Sequence, residues 1–194
     1  MPKLGMQPVR RKQIIEATMQ CITSLGIHKS SMQKIADRAE INSSLIVHYF
    51  KDRPQLLEAV YTHIYQLMDA EIRWRVKAAG SPMAKAIAIC DAQVCDDILR
   101  REVVVTWVAL FALIPELPSL ARLDYIYAKR LRSNLVHHLQ TGGVERSNAL
   151  QVADEISLLI DGLWLRKAAD ANLDGDQLRK TVSDYLIQNL PSSA

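Results

Sequence analysis

Residues 30–53 of this 194-residue chain read SSMQKIADRAEINSSLIVHYFKDR, and this stretch decides the fold. Ser30 followed by Gln33 forms an S-x-x-Q capping box, which predicts the start of a helix. Asn42 is a good N-cap for a second helix, which is amphipathic and is followed by the cationic residues Lys51 and Arg53. Two interpretations are open at this point: a helix-turn-helix that reads DNA, and a buried helical hairpin of an ordinary all-α protein.

The positive charge of the chain is concentrated at the same end. The whole sequence carries a formal net charge of +3. Residues 1–53 contain nine lysines and arginines against four acidic residues, whereas residues 54–194 contain fifteen against seventeen. A basic region confined to one end predicts a polyanionic partner for that end. It disfavours the alternative of a helical partner-binding protein that does not use DNA.

The composition argues against several other classes of protein. Hydrophobic residues make up 49% of the sequence, which is enough for a folded core. The most apolar run, Val103–Ile114, is shorter than the roughly 20 residues that a membrane-spanning helix needs, so no membrane partner is expected. Three cysteines without a C-x-x-C pair fit a reducing cytoplasm, with Cys21 in the core. The start, MPKLGMQPVRRK, lacks the apolar segment of a signal peptide.

Common catalytic motifs are missing from the sequence. We find no G-x-S-x-G, no H-E-x-x-H and no glycine-rich phosphate loop. The neighbouring His137 and His138 would point about 100° apart on a helix, which is poor geometry for one metal ion. We therefore expect a protein that is not an enzyme, with no catalytic residue, no cofactor and no metal site.

Helical periodicity continues along the rest of the chain. Residues 9–25 are predicted to form the first helix, and Pro54 suits the first turn of a connecting helix of about 25 residues. Five more helices are predicted at residues 83–95, 98–114, 119–139, 147–169 and 175–189. The predicted fold is therefore all-α, with about nine helices: an N-terminal three-helix helix-turn-helix domain, a long connecting helix and a C-terminal five-helix bundle.

The register of the two-helix stretch resembles one family. The segment KIADRAEINSSLIVHYFKDRPQLLEAV is similar to the DNA-binding region of TetR-family repressors, whose motif runs I-A-x-x-A-G-V-S-x-G-x-x-Y-x-H/Y-F-x-x-K-x-x-L. The resemblance implies a DNA-binding domain at residues 8–68, with the helix-turn-helix at about 31–50, and a ligand-binding and dimerisation domain at residues 69–194. Glu40 and Ser44 depart from the motif's glycines. A left-handed non-glycine residue is strained by roughly 1 kcal/mol or more, so we expect a different turn at Glu40.

The resemblance implies how DNA is bound. The helix from Ser43 to Phe50 would enter the major groove, with base reading at its start and phosphate binding at its end. Leu45 or Val47 could touch a thymine methyl, and Tyr49 has a rival role as a core aromatic residue. The predicted DNA-binding residues are Ser31, Gln33, Asn42, Ser43, Ser44, His48, Tyr49, Lys51 and Arg53.

A homodimer on a pseudo-palindromic double-stranded operator is also implied, in the cytoplasm of a bacterium and at the nucleoid when bound. The interface would lie on the last two long helices, where Gly162 lets two helices approach. The predicted apolar residues of that interface are Leu158, Leu159, Leu163 and Leu165.

Further matches are to the choline-responsive members of the family, which control glycine betaine synthesis. They include RLRSNLV at residues 130–136 and IDGLWLR at residues 160–166. The implied effector is choline, and a TetR-family repressor of another small molecule is the alternative. Aromatic faces and a carboxylate suit a quaternary ammonium. The predicted ligand-binding residues, each of which has a rival role in the core or the dimer interface, are Trp107, Phe111, Tyr125, Asp161 and Trp164.

Overall fold

The computed structural model describes residues 6–189, and its regular structure over that range is nine α-helices and one 3₁₀ turn. The predicted all-α fold of about nine helices is confirmed for this part of the chain. In chain order the elements are α1 (Met6–Leu25), the 3₁₀ turn (Ile27–Lys29), α2 (Met32–Arg38), α3 (Ser43–Phe50), α4 (Arg53–Ala78), α5 (Pro82–Gln93), α6 (Arg101–Phe111), α7 (Pro118–Thr141), α8 (Arg146–Ala169) and α9 (Gly175–Gln188).

The chain packs as two compact units. The first contains the residues up to Ile64 together with Arg101–Leu123, and the second contains Tyr65–Arg100 and the residues from Asp124 onward. Helices α4 and α7 therefore contribute residues to both units. Helix α6 belongs to the first unit because it packs against α1. The division into a DNA-binding domain at residues 8–68 and a ligand-binding domain at residues 69–194 stays a prediction.

The first unit has a core built from α1, α2, α3, α6 and the start of α4. Cys21 is buried there, as predicted, with 1% of its surface exposed. The buried hydroxyl of Thr106 on α6 donates to the Met19 carbonyl of α1 at 3.5 Å, so these helices are tied by a polar contact as well. The largest apolar residues of this core are Ile14, Ile22, Ile35, Ile46, Phe50, Leu56 and Leu110.

The capping box predicted at Ser30 is wrong by one residue. The 3₁₀ turn was not predicted, and Ser30 is the buried residue that caps its C-terminal end, where the hydroxyl donates to the Gly26 carbonyl at 2.8 Å. Ser31 caps α2 instead, because its side chain accepts a hydrogen bond from the Lys34 amide. The amide of Gln33 does not reach back to the cap and donates to the Asp37 carboxylate at 2.8 Å.

The second unit is held together by helices α5, α8 and α9, with α9 packed against the other two. The buried indole N–H of Trp164 on α8 donates to the Gln93 carbonyl at the end of α5, at 2.8 Å. The Ser183 hydroxyl on α9 donates to the Asp91 carboxylate at 2.9 Å. Buried polar groups of this unit therefore have partners, as a stable core requires. None of the helices within residues 6–189 has the length and apolarity to span a membrane.

The end of α7 makes part of the stability pH-dependent. Burial, followed by the charges of His137 and Lys85, lowers the pKa of His138 below its ordinary 6.5. Folding therefore favours the neutral imidazole: this contribution is complete above the unfolded-state pKa and is lost as the pH falls from there towards the lowered folded-state pKa. We expect His138→Gln to lose less thermal stability than the wild type between pH 7 and pH 5.

Thermal melts at several pH values, monitored by circular dichroism, measure this difference. The control is His28→Gln, which makes the same replacement at an exposed histidine of the 3₁₀ turn. Equal pH dependence in His138→Gln and the wild type would contradict the assignment.

Candidate nucleic-acid interface and effector site

Asn42 caps α3, as predicted from the sequence. Its backbone is extended, and its side-chain oxygen accepts from the Ser44 amide and from the Ser44 hydroxyl, each at 3.0 Å. This satisfies an amide that the helix cannot pair itself. The cap also fixes Ser43 and Ser44 as the first turn of α3, with Ser44 exposed and Ser43 half-buried.

The sequence analysis expected that the turn between α2 and α3 would avoid the left-handed conformation at Glu40, and this expectation is wrong. Glu40 adopts the left-handed conformation itself, with φ of 52°. The Ile41 amide donates to the Ala36 carbonyl and the Glu40 amide to the Asp37 carbonyl, at 3.0 and 3.2 Å. These two bonds form a Schellman motif, which satisfies the carbonyls at the end of α2. The motif holds the turn even though a side chain stands in the position that glycine favours.

The end of α3 is shaped by an unusual turn at Lys51. This residue has φ of 60° and ψ of −55°, and the Asp52 amide donates to the Phe50 carbonyl at 2.6 Å. The three residues therefore form a γ-turn with positive φ, a rare and strained conformation. The Asp52 carboxylate then accepts from the Gln55 amide in the first turn of α4. This turn ends α3 abruptly and leaves the Lys51 side chain exposed.

Helix α1 contacts the C-terminal ends of both α2 and α3. Arg11 donates to the Tyr49 carbonyl at 3.0 Å, and its guanidinium lies 4.4 Å from the centre of the Phe50 ring. Gln13 donates to the Ala39 carbonyl, beside the turn, at 2.7 Å. Arg11 was not among the predicted site residues. The sequence did contain an indication of its role, because the cations at the start of α1 interact unfavourably with the helix dipole and are therefore expected to bind a group outside that helix.

The predicted DNA-binding residues lie mostly at the surface of the first unit. Arg53 is half-buried and donates to the Ile27 carbonyl, so it has a partner within the protein as well as the predicted role at phosphate. Tyr49 is half-buried and makes an edge contact with the His48 ring, whereas Phe50 is in the core at 1% exposure. The exposed members of the predicted set are Ser31, Gln33, Asn42, Ser44, His48 and Lys51.

The predicted ligand-binding residues are divided between the two units. Trp107 and Phe111 belong to the first, where their rings stack with centroids 4.8 Å apart; Trp107 is buried and Phe111 is 41% exposed. Tyr125, Asp161 and Trp164 belong to the second. Trp164 lies in the core of that unit, and Tyr125 is 64% exposed, with the Lys129 ammonium 5.8 Å from its ring centre.

The second unit contains a stacked aromatic pair outside the predicted set of five ligand-binding residues. Tyr65 on α4 and Tyr127 on α7 stack face to face, with centroids 3.9 Å apart and planes 9° from parallel. The Tyr65 hydroxyl donates to the Asp124 carboxylate at 3.2 Å. Burial and the negative charge of Asp124 raise the pKa of Asp161 on α8 to about 6, although the residue as a whole is exposed.

These four residues, Tyr65, Asp124, Tyr127 and Asp161, form what we call the aromatic–acid cluster. It combines aromatic rings with two carboxyl groups whose mutual repulsion a cation would relieve. Helical periodicity could not predict it, because the partners come from three separate helices. Among residues 6–189 no group of three or more histidine, cysteine or acidic residues is arranged to hold a metal ion.

The fold and the α2–α3 geometry together define a helix-turn-helix transcriptional regulator with a second helical unit. Residues 14–60 match the family model of bacterial regulatory proteins of the tetR family. Residues 82–191 match the model described as BetI-type transcriptional repressor, C-terminal. The chain belongs to the TetR family of bacterial regulators, and its C-terminal region is of the BetI type.

Relatives named BetI are similar over the full chain. HTH-type transcriptional regulator BetI 1 of Chromohalobacter salexigens is 37% identical over 195 residues, which cover 100% of this chain and 96% of that protein. HTH-type transcriptional regulator BetI of Burkholderia mallei is 36% identical over 192 residues, 98% of each chain. The predicted resemblance to the TetR family, and within it to BetI, is therefore confirmed.

Solved structures support the fold at lower identity. A transcriptional regulator from Saccharomonospora viridis in complex with choline matches with a TM-score of 0.83 and 17% identity, covering 96% of this chain and 100% of that chain. A regulator from Pseudomonas aeruginosa PAO1 matches with a TM-score of 0.81 and 22% identity, covering 93% of this chain and 90% of that chain.

Proposed function

We propose that this repressor binds a pseudo-palindromic operator as a homodimer and that choline weakens the binding. The proposed DNA binding rests on the exposed face of α3. Asn42 caps the start of this helix, and the γ-turn ends it at the cationic residue Lys51. A short helix with small polar residues first and a cation last suits base edges followed by phosphates. The proposed place of action is the nucleoid in the bacterial cytoplasm.

The homodimer is supported by the exposed face of α8. Leu158 and Leu165 are 72% and 56% exposed, and they share a helix face with Gly162. A Cβ atom at Gly162 would meet no atom of the same protomer within 4 Å beyond its chain neighbours and the backbone of its own helix, so a second helix can approach there. Two copies joined at α8 would present two α3 helices to two half-sites of one operator.

The effector proposal rests on the aromatic–acid cluster and on the similarity to regulators named BetI. A trimethylammonium group cannot donate a hydrogen bond from nitrogen, and it binds to aromatic faces and carboxylates. The cluster supplies both within the second unit. We therefore prefer it to the predicted set of Trp107, Phe111, Tyr125, Asp161 and Trp164, of which only Asp161 is kept. A coupling of about 1–3 kcal/mol between effector and DNA is enough for regulation.

The DNA part is tested with operators selected from random-sequence DNA. We expect the logarithm of the affinity to fall linearly with the logarithm of the salt concentration, because bound phosphates release counterions. Binding that does not depend on salt, or failure to select any DNA, would show that operator binding is wrongly proposed.

The effector part is tested with choline and its neutral analogue 3,3-dimethyl-1-butanol, which has the same shape without the charge. Choline should raise the melting temperature and weaken operator binding about 5- to 150-fold, and the analogue should do neither. Tyr127→Leu should lose this response, whereas Tyr125→Leu, on the same helix, should keep it. If only Tyr125→Leu loses the response, the effector site is wrongly placed; if choline has no effect while DNA binding stays salt-dependent, another small molecule is the effector.

A further inference from the structure

One apolar side chain stands on the exposed face of α3. Val47 and His48 each lie three or four residues from both Ser44 and Lys51, which places the four residues on one side of the helix. Val47 is 52% exposed. Within Ser43–Phe50, all of which the structure describes, it is the one exposed apolar residue.

The other apolar residues of α3 point elsewhere. Ile46 and Phe50 are buried at 0% and 1% exposure, and Leu45 is half-buried. The sequence left Leu45 and Val47 as alternative contacts for a thymine methyl, and the structure favours Val47. The family motif quoted above has tyrosine at this position, where this chain has a short apolar side chain.

The chemistry of the exposed face limits what Val47 can recognise. A valine side chain neither donates nor accepts hydrogen bonds, so it can select only an apolar group. In the major groove that group is the C5-methyl of thymine, because the other base edges present donors and acceptors. The exposed His48 and Lys51 beside it supply donors for the flanking phosphates, which makes the face complementary to DNA rather than to an apolar protein surface.

We propose that Val47 selects a thymine in each half-site of the operator by direct contact with its methyl group. This inference rests on the proposed binding of operator DNA, and it makes Val47 a specificity-determining residue of α3. Loss of one buried methyl contact should lower the affinity roughly fourfold for one half-site and about 15-fold for a symmetric pair.

The experiment uses the full-length protein and a selected operator in which thymines are replaced by deoxyuridine, one symmetric pair at a time. This change removes only the methyl group. For the wild type, one pair should lower the affinity about 15-fold. For Val47→Ala, the same replacement should change the affinity less than about twofold, because the contact is already absent. Val9→Ala, which shortens an exposed valine of α1, is the matched control and should keep the wild-type sensitivity.

The outcomes separate this inference from the proposed function. If every deoxyuridine operator binds the wild type as well as the thymine operator does, Val47 does not select thymine. The inference also fails if Val47→Ala remains as sensitive as the wild type, or if the selected half-sites contain no constant thymine. In each of these cases salt-dependent operator binding persists, whereas the absence of any such binding overturns the proposed function itself. Because Val47 is exposed, Val47→Ala should melt at the wild-type temperature.

Discussion

Replacing Leu158 and Leu165 together by glutamate is expected to give a monomer whose affinity for a complete operator is at least about 100-fold lower. Both side chains are largely exposed on α8, so the protomer should fold normally. In the proposed dimer, however, the four carboxylates would meet across the interface without partners and would lose much of their hydration. The monomer would then bind each half-site independently and lose the advantage of an intramolecular second contact.

Light scattering or sedimentation measures the mass, and titration of labelled DNA measures the affinity. DNA with a single half-site is an internal control, because its affinity should be the same for the wild type and the double variant. Ile126→Glu makes a similar change at an exposed apolar residue of α7, and it should leave the dimer intact. If the double variant remains dimeric, the interface lies elsewhere. If its affinity for the single half-site falls as much as its affinity for the complete operator, the loss does not come from dissociation of the dimer.

Local sequence signals predicted much of the first unit. Asn42 is followed by an amphipathic segment, and it caps α3 because a side-chain oxygen at that position reaches the amides of the first turn. The same rule placed the cap of α2 at Ser30, and it failed there because the 3₁₀ turn after Gly26 uses Ser30 for its own end. The γ-turn at Lys51 had no signal, since lysine has no preference for positive φ.

Contacts between distant residues were the part that the sequence could not predict. Arg11 lies 38 residues before Tyr49, whose carbonyl it binds, and Tyr65 pairs with a tyrosine from another helix. Periodicity tells which face of each helix is apolar, but it does not tell which helices meet. For the same reason the aromatic residues were assigned to a ligand site by type alone, and Trp164 could not be recognised in advance as a residue packed against the end of α5.

Trp164→Ala is expected to destabilise the protein by about 3–5 kcal/mol, the usual cost of removing a large aromatic residue from a core. The side chain is only 2% exposed, and the cavity left behind would lie between α8 and α5. Trp164→Phe keeps much of the apolar contact but leaves the Gln93 carbonyl without its donor, which should cost about 1–3 kcal/mol. The exposed Trp74 is the control, because Trp74→Ala should change stability by less than about 0.5 kcal/mol.

Urea unfolding followed by circular dichroism measures these differences, and choline titration of Trp164→Phe decides the role of this residue. A cage wall for a quaternary ammonium needs the face of a ring, which phenylalanine also has, although it binds cations more weakly than tryptophan. If Trp164 is instead a core residue, its contribution comes from the volume that it fills and from its hydrogen bond to the Gln93 carbonyl. We therefore expect Trp164→Phe to lose stability but keep the response to choline. If Trp164→Phe keeps the wild-type stability but loses the response to choline, Trp164 belongs to the effector site.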